Sequence, residues 1–198
     1  MPTDARVARM WRVANARQQG IVVFEDIHDP HNAEAVLRTC DAFGFHYAWF
    51  VFTSEEPFDP RRVGKATSAS ANKWLEYRVL FSTEQCLHDL RSAGYEIIAT
   101  TPNEPSEALF TARFTAARLA ILFGNEHRGL SETALAGADR RVMVPMAGMV
   151  RSLNLSVTAA LVLYEITRQR RLAGMERYRL PPEERARIVG RWLARESE

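Results

Sequence analysis

Three segments of the sequence combine polar side chains with glycine at points where an apolar run ends, which is where open α/β sheets build their sites. In the first segment, Asn32 stands at the start of a helical pattern and Arg38 follows six residues later, a little under two turns along. This spacing favours two groups that act on one ligand. The alternative for Arg38 is a surface ion pair with Glu34, one turn earlier.

The second segment follows an apolar run at 119–123. Gly124 ends that run, where the backbone could approach a ligand closely, and Glu126 lies on the loop that Gly129 then turns. A loop carboxylate beside an exposed backbone would suit a polar ligand. The alternative is turn chemistry alone, without any ligand.

The third segment leads into a long helical pattern. Pro145 ends a short apolar run, Gly148 marks a loop, and Ser152 or Asn154 is placed to cap the helix. The free N–H groups of a helix start suit an anionic ligand group. The alternative here is a helix cap and nothing more.

Apolar runs of strand length alternate with helical patterns, which predicts an α/β fold with a mainly parallel sheet flanked by helices. The predicted strands lie at 21–27, 47–52, 74–81, 95–100, 119–123 and 141–144. Helices are predicted at 31–43, 60–69, 83–93, 131–136 and 153–172, with a final basic helix after Pro181-Pro182.

Several common sites are excluded by their missing motifs. The sequence lacks GxGxxG, the P-loop pattern and GxSxG, so a dinucleotide site, P-loop hydrolysis and a serine hydrolase are not expected. Cys40 and Cys86 form no CxxC pair, so we expect two buried thiols, no disulfide framework and no metal.

Length and composition favour one folded domain. Hydrophobic residues make up 46% of the 198-residue chain, which excludes disorder, and no apolar run approaches the roughly 20 residues of a membrane span. The first 20 residues lack a secretion signal, so a cytoplasmic location is expected. The net charge is only +2, yet basic residues are concentrated in 1–20, 57–80 and 168–198. Either these are solvated helix faces or they bind RNA phosphates.

Taken together and in this order, the three segments resemble motifs 1, 2 and 3 of the SpoU class of SPOUT RNA methyltransferases, the TrmH family. Motif 1 is matched by Asn32-x-x-Ala35-x-x-Arg38 through Phe43-Gly44, motif 2 by Phe-Gly-Asn-Glu-His-Arg-Gly at 123–129, and motif 3 by Val-Pro-Met at 144–146 through Ser-Leu-Asn-Leu-Ser at 152–156. The resemblance covers about residues 21–172. One departure is Asn125, where the family more usually has a small or apolar residue.

The resemblance implies a deep trefoil knot formed by the last strands and the long helix, in a homodimer where motif 1 of one subunit meets motif 3 of the other. It further implies a basic helical extension at 1–20, a catalytic knot domain at 21–172 and a C-terminal helical extension at 173–198. S-adenosyl-L-methionine is the implied methyl donor. The residues expected to bind it are Thr100, Gly124, Val144, Ser152, Leu153 and Asn154.

The implied reaction is 2'-O-methylation of a ribose in RNA. Arg38 is expected to stabilise the developing alkoxide rather than to act as a base, because a guanidinium keeps its proton; Asn32 would orient the ribose or Arg38, and Glu126 would brace the loops. His31 and His127 are alternative bases or simply surface histidines. The residues expected to bind RNA are His31, Arg61, Arg62, Lys65, Arg168, Arg170 and Arg171.

Within the family, His31-Asn32, Asn72-Lys-Trp and Leu163-Tyr-Glu resemble members that act on guanosine 18 of transfer RNA, which makes that nucleotide the expected target. Ribosomal RNA or another position in transfer RNA remains an alternative. A protein of a different class, one that keeps the knot and binds RNA without catalysis, is a further alternative. The intact Asn32, Arg38 and Glu126 argue against it.

Overall fold

The computed structural model describes residues 2–62 and 71–196. Strands and helices alternate along most of this part of the chain. The strands are β1 (Gln18–Glu25), β2 (Phe45–Val51), β3 (Glu76–Leu80), β4 (Glu96–Thr100), β5 (Glu107–Ala108), β6 (Leu119–Phe123) and β7 (Arg140–Met143). The helices are α1 (Asp4–Ala16), α2 (Pro30–Phe43), α3 (Thr83–Ser92), α4 (Glu132–Gly137), α5 (Leu155–Leu172) and α6 (Pro182–Arg195).

All seven strands of the described chain join one sheet in the order β3-β2-β1-β6-β4-β7-β5, and the pairings between neighbours are parallel. The prediction of an α/β fold with a parallel sheet is therefore confirmed. β1 and β6 lie at the centre, and their apolar runs are buried as a strand covered on both faces requires. Because the strands are parallel, the loops after β1, β4, β6 and β7 share one edge.

Each face of the sheet carries its own hydrophobic core. On one face α2 and α5 pack together over the sheet, and Val36 and Leu163 are buried there. On the other face α3 and α4 do the same, and Leu90 is buried between them and the strands. Cys40 and Cys86 lie one in each core as free thiols, which confirms their predicted burial.

The helix that carries Asn32 and Arg38 has clear local signals at both ends. Asp29 caps α2 by accepting a hydrogen bond from the backbone N–H of His31, and Pro30 occupies the first turn. Gly44 ends the helix at φ 84°, where a Cβ would lie 2.8 Å from the carbonyl oxygen of Ala16. The start of α2 is therefore fixed by Asp29 and Pro30, and its end by Gly44.

Several predicted boundaries were wrong. β1 begins at Gln18, because the buried Gln18 side chain bonds the hydroxyl of Thr167 and the carbonyl of Phe43, and α1 therefore ends before residue 20. Residues 60–62 form a turn rather than a helix, and the rest of the helix predicted at 60–69 lies outside the described residues. β5 was missed because two residues carry no readable pattern.

A third apolar cluster lies between the two terminal helices, and Tyr47 of β2 and Trp74 pack against it from the side of the sheet. Met10 and Ala14 of α1 pack against Ile188, Val189 and Trp192 of α6. At the far end of this pair the guanidinium of Arg6 makes two hydrogen bonds of 2.8 Å to the carboxylate of Glu196. No helix among the described residues has the length and apolar character of a membrane span.

Candidate active site

A cavity of about 310 Å³ opens at the edge of the sheet where β4, β6 and β7 end and α5 begins. Its walls come from four separate stretches of the chain, at 100–103, 124–130, 142–144 and 151–153. Val142 and Val162 are buried and make part of the lining apolar. A cavity of this size with an apolar base and polar loops is typical of a small-molecule site.

Five of the six residues expected to bind a methyl donor line this cavity. They are Thr100, Gly124, Val144, Ser152 and Leu153. The sixth, Asn154, is not part of the lining, because its side chain caps α5 by accepting from the backbone N–H and the hydroxyl of Ser156. Of the two candidate caps, Asn154 is thus the one used, and α5 begins at Leu155 rather than at residue 153.

The turn after β6 is closed tightly on Gly124. A Cβ at Gly124 would come within 2.4 Å of the backbone of Gly129 and Leu130, so no larger residue fits there without moving the turn. Asn125 and Gly129 exchange two backbone hydrogen bonds of 3.0 and 2.8 Å, and Gly129 adopts φ 72°. The backbone at the cavity wall is therefore held in one shape.

A chain of hydrogen bonds joins the three sequence segments within one molecule. The carboxylate of Glu126 accepts from the backbone N–H groups of His28 and Asp29 and from Asn32 Nδ2, at 2.9, 3.2 and 2.9 Å. Asn32 Oδ1 in turn accepts from Asn154 Nδ2 at 3.1 Å. Asn32 is thus the link between the loop after β6 and the start of α5.

Arg38 lies apart from this chain and from the cavity lining. It is exposed on α2, and across the described residues it makes no hydrogen bond and no ion pair. The alternative ion pair with Glu34 is absent, and Glu34 is itself buried. Six residues of helix carry Arg38 about 9 Å along the axis from Asn32 and about 120° around it. Its five donors are therefore free.

The predicted alternative bases sit differently from each other. His127 lines the cavity, and its ring centroid lies 5.8 Å from that of His28. His31 is exposed at the first turn of α2, where its backbone N–H serves the Asp29 cap. The cavity therefore has a histidine at its mouth, contributed by the loop after β6.

Residues that the sequence interpretation did not single out organise the loop after β1. Asp26 has φ 50°, and its carboxylate accepts from the backbone N–H groups of Thr53, Ser54 and Glu55. Burial alone would raise the pKa of Asp26, but these hydrogen bonds outweigh it and lower the pKa below its ordinary value. An acidic pair at the end of β1, Glu25-Asp26, was the only sequence signal for this role.

The prediction that Arg170 binds RNA is wrong. Arg170 is fully buried on α5, and its guanidinium donates to Gln18 Oε1 and to the carbonyl oxygens of Gln19, Ala116 and Ala117. Burial lowers the pKa of Arg170 to about 10, so it keeps its charge at neutral pH. Because it is fully buried and both terminal nitrogens donate inside the molecule, it has no access to a phosphate.

The other predicted RNA contacts are at the surface where the structure describes them. Arg61 and Arg62 lie exposed in the turn after β2, and Arg171 is exposed near the end of α5. Arg168 forms an ion pair of 2.7 Å with Glu165, one turn earlier on the same helix. Lys65 lies outside the described residues.

Comparison with known proteins points to one family. The model of the SpoU rRNA Methylase family matches residues 19–164, a span that contains all the loops lining the cavity. Among curated proteins, a tRNA (guanosine(18)-2'-O)-methyltransferase of Thermus thermophilus is 39% identical over 193 residues, which cover 96% of this chain and 97% of that protein.

Solved structures give the same result. The A. aeolicus TrmH/SpoU tRNA modifying enzyme superposes with a TM-score of 0.83 at 29% identity, over 98% of this chain and 97% of that one. The SpoU methyltransferase AviRb from Streptomyces viridochromogenes, solved in complex with the cofactor AdoMet, superposes with a TM-score of 0.66 at 28% identity, over 88% of this chain and 64% of that one.

Proposed function

The chain belongs to the SpoU rRNA methylase family, and on that premise we propose that it transfers a methyl group from S-adenosyl-L-methionine to a ribose 2'-oxygen of transfer RNA. The proposed target is guanosine 18, the nucleotide named for the Thermus relative that matches almost the whole chain. A cytoplasmic location would suit such a substrate.

One observation carries the proposal more than any other. The hydrogen bonds from Asn154 to Asn32 and from Asn32 to Glu126 gather the three family motifs at one edge of the sheet, beside the cavity. A set of polar residues gathered only by chance would have no reason to form one continuous chain. The arrangement supports a single site that serves a donor and an acceptor together.

The cavity suits the proposed donor. Its apolar base would accept an adenine ring, and the tight turn on Gly124 presents backbone groups at the cavity wall that would hold a polar part of the ligand. When bound, S-adenosyl-L-methionine supplies an electrophilic sulfonium methyl group. The chain's part is to hold the donor through Thr100, Gly124, Val144 and the loop at 152–154, and to keep water away from it.

Arg38 has the proposed role of stabilising the negative charge that develops on the ribose oxygen. A guanidinium keeps its proton at neutral pH, so it acts as a donor of hydrogen bonds and not as the base. Asn32 would orient the incoming ribose, and Glu126 would hold the loops that surround it. Preorganised donors of this kind lower a barrier without moving during the reaction.

A homodimer would bring Arg38 to the chemistry. Arg38 does not line the cavity of its own chain, whereas α5 exposes an apolar stripe made of Val157, Leu161 and Tyr164 beside α2. Pairing two such stripes across a twofold axis would bury them and would carry α2 of one subunit towards the site of the other. The free donors of Arg38 would then meet the partner's substrate.

Two further features of the family are proposed for this chain. The first is a trefoil knot formed by the last strands and α5. The second is the division into a catalytic domain at 21–172 with helical extensions at 1–20 and 173–198. RNA would be bound by these basic extensions together with residues of the catalytic domain, namely His31, Arg61, Arg62, Lys65, Arg168 and Arg171. The α1–α6 cluster supports the grouping of the two extensions, because Met10 and Ala14 of the first pack against Ile188, Val189 and Trp192 of the second.

The test is methyl transfer to a defined transcript. Purified protein with tritiated S-adenosyl-L-methionine should label unmodified transfer RNA, and mapping should find the methyl group at guanosine 18. A matched transcript with 2'-deoxyguanosine at that position lacks the accepting oxygen and should stay unlabelled. Labelling at another nucleotide would change the target and keep the chemistry; donor binding without transfer to any RNA would favour a protein that binds RNA without catalysis.

A further inference from the structure

Beside the cavity, three loops meet at one carboxylate that the proposed reaction does not use. Glu55 lies in the loop after β2, and its side chain is 17% exposed. Its Oε1 accepts from the guanidinium of Arg128 at 2.7 Å and from Asn125 Nδ2 at 3.2 Å, while its Oε2 lies 2.8 Å from His28 Nδ1. Glu55 therefore connects the loops after β1, β2 and β6. We call these four side chains the Glu55 junction.

Asp26, at the end of β1, fixes the position of the loop that carries Glu55. Asp26 accepts the backbone N–H of Glu55 at 3.1 Å, together with those of Thr53 and Ser54, so that the loop is anchored to the end of β1. The carbonyl oxygen of Asp26 also accepts from Asn125 Nδ2 at 2.8 Å. The backbone of the loop is therefore held in place, and the carboxylate of Glu55 is positioned beside its partners.

The opposite side of the junction is the cavity wall itself. Asn125 Oδ1 accepts from the backbone N–H groups of His127 and Arg128 at 2.9 and 3.0 Å, which gives the turn its shape. Asn125, His127 and Arg128 all line the cavity, whereas Glu55 does not. Asn125 is almost completely buried, so the loss of a partner on its amide is not readily repaired by water.

We propose that Glu55 is a positioning residue for donor binding, which holds the 125–129 turn and the Arg128 guanidinium in the arrangement that the methyl donor meets. This inference rests on the proposed function. Without Glu55, Arg128 would lose its only ion-pair partner among the described residues, and its long side chain would be free to enter the mouth of the cavity. Asn125 would at the same time lose one of its two acceptors.

The experiment compares three variants of the full-length protein. Glu55→Ala should raise the calorimetric Kd for S-adenosyl-L-methionine about tenfold, while kcat at saturating donor and transfer RNA stays within about twofold of the wild type. Glu55→Gln keeps an acceptor for Arg128 and Asn125 but loses the ion pair with Arg128, so it should raise the Kd about threefold, less than Glu55→Ala does. Glu56→Ala is the matched control, because Glu56 is exposed and has no hydrogen bond or ion pair within the described chain.

A double-mutant cycle tests the route through Arg128. In an Arg128→Met background the step from Glu55 to Gln should no longer change the Kd for the donor, because the partner that Glu55 holds is gone. This cycle also decides the matter if Glu55→Ala does not fold. A purely structural role would give the same change in both backgrounds.

The outcomes separate the two proposals. Wild-type protein that neither binds the donor nor labels transfer RNA would reject the proposed function. If the wild type does both, an unchanged Kd in Glu55→Ala, or a loss of kcat with an unchanged Kd, would overturn the role of Glu55 and leave the methyltransferase intact. Equal effects of Glu55→Ala and Glu56→Ala would overturn it as well.

Discussion

Two helices of this molecule each carry an arginine for which the sequence predicted a contact with RNA, and the structure places the two side chains in opposite environments. On the outer face of α2, Arg38 is exposed and makes no hydrogen bond or ion pair among residues 2–62 and 71–196. In the last turns of α5, Arg170 is buried, donates to four acceptors, and lies with its guanidinium carbon 4.8 Å from the ring centroid of Tyr178.

The difference shows what distinguishes an arginine available for chemistry from one that holds the fold. A buried guanidinium whose two terminal nitrogens both donate inside the protein has no group that a substrate could reach. An exposed guanidinium with free donors has its full hydrogen-bonding capacity available to a substrate. Function is therefore better inferred from donors that are both exposed and unsatisfied than from the presence of Arg in a basic run.

The largest expected effect is on stability, at Arg170. Arg170→Ala leaves the carbonyl oxygens of Gln19, Ala116 and Ala117 without their donor inside the protein, so the free energy of unfolding should fall by about 3 kcal/mol or more. Urea unfolding followed by circular dichroism measures this. Arg171→Ala, one residue away and exposed, is the control and should stay within about 0.5 kcal/mol of the wild type.

At Arg38 the comparison predicts the reverse pattern. Arg38→Ala should lower methyl transfer to transfer RNA by about 10²- to 10³-fold, the range for the loss of one preorganised donor to a developing oxyanion. Its unfolding free energy and its calorimetric Kd for the donor should match the wild type. Turnover at the wild-type rate would remove Arg38 from the reaction.

Mixing two inactive variants determines whether Arg38 acts in the cavity of its own subunit or in that of the partner. Two inactive variants are mixed and refolded together. One is Arg38→Ala, and the other is Gly124→Val, whose side chain would clash with the backbone of the turn at the cavity wall. If Arg38 acts in the partner's cavity, activity should be restored. Mixed dimers would then contain one complete site, so about a quarter of wild-type activity should return at equal amounts. No recovery, with mixed dimers present, would place Arg38 in its own subunit's reaction.

The exposed stripe of α5 should be responsible for the pairing. Leu161→Glu puts a charge into the proposed interface and should shift the protein to a monomer in light scattering, with methyl transfer lost as a consequence. Glu132→Gln, on α4 at the opposite face of the sheet, is a control that should remain dimeric. A dimeric and active Leu161→Glu protein would direct the search to another face.

A smaller effect is expected from the two exposed arginines near the end of α5. Changing Arg168 and Arg171 together to Ala should weaken transfer RNA binding and reduce the slope of log K against log salt by roughly one for each phosphate that is no longer neutralised. Arg168 already pairs with Glu165, so its share should be the lesser one. An unchanged slope would take this surface out of the RNA interface.

The smallest effect concerns His28 in the Glu55 junction. The hydrogen bond and charge of Glu55 raise the pKa of His28, and Glu126 and Asp29 add to this; Arg128 and His127 are the other ionisable groups nearby. A raised pKa means that the contribution of His28 to stability is complete below the ordinary pKa of about 6.5 and is lost as the pH rises through the raised value. The melting temperature of Glu55→Gln should lack this decline, whereas Glu56→Gln should keep it.

The parts of the fold that could be predicted from sequence are those with local signals. β6 is buried along its whole length, and its apolar run predicted it with the observed bounds; the end predicted for α2 followed from Gly44. Asn32 and Glu126 were assigned their roles through the resemblance to the family motifs, and the structure joins them. Their predicted catalytic roles stay predictions until the variants are measured.

The parts that could not be predicted depend on contacts between distant segments. Arg170 occurs in a basic run, and only the position of Gln18 and of the loop before β6 around it, over 50 residues away, determines its burial. Glu55 and Asp26 likewise carry no local pattern, because their partners lie on other loops. Sequence periodicity contains no information about which loop will reach which carboxylate.

The pairing of α1 with α6 has a consequence for any shortened form of the protein. Each of these helices shields the apolar side of the other, with Met10 against the surface that includes Trp192. Deleting α6 would expose the apolar face of α1 to solvent and make the protein prone to aggregate, although the sequence of α1 would be unchanged. A truncation at the C-terminus would thus destabilise the N-terminal helix.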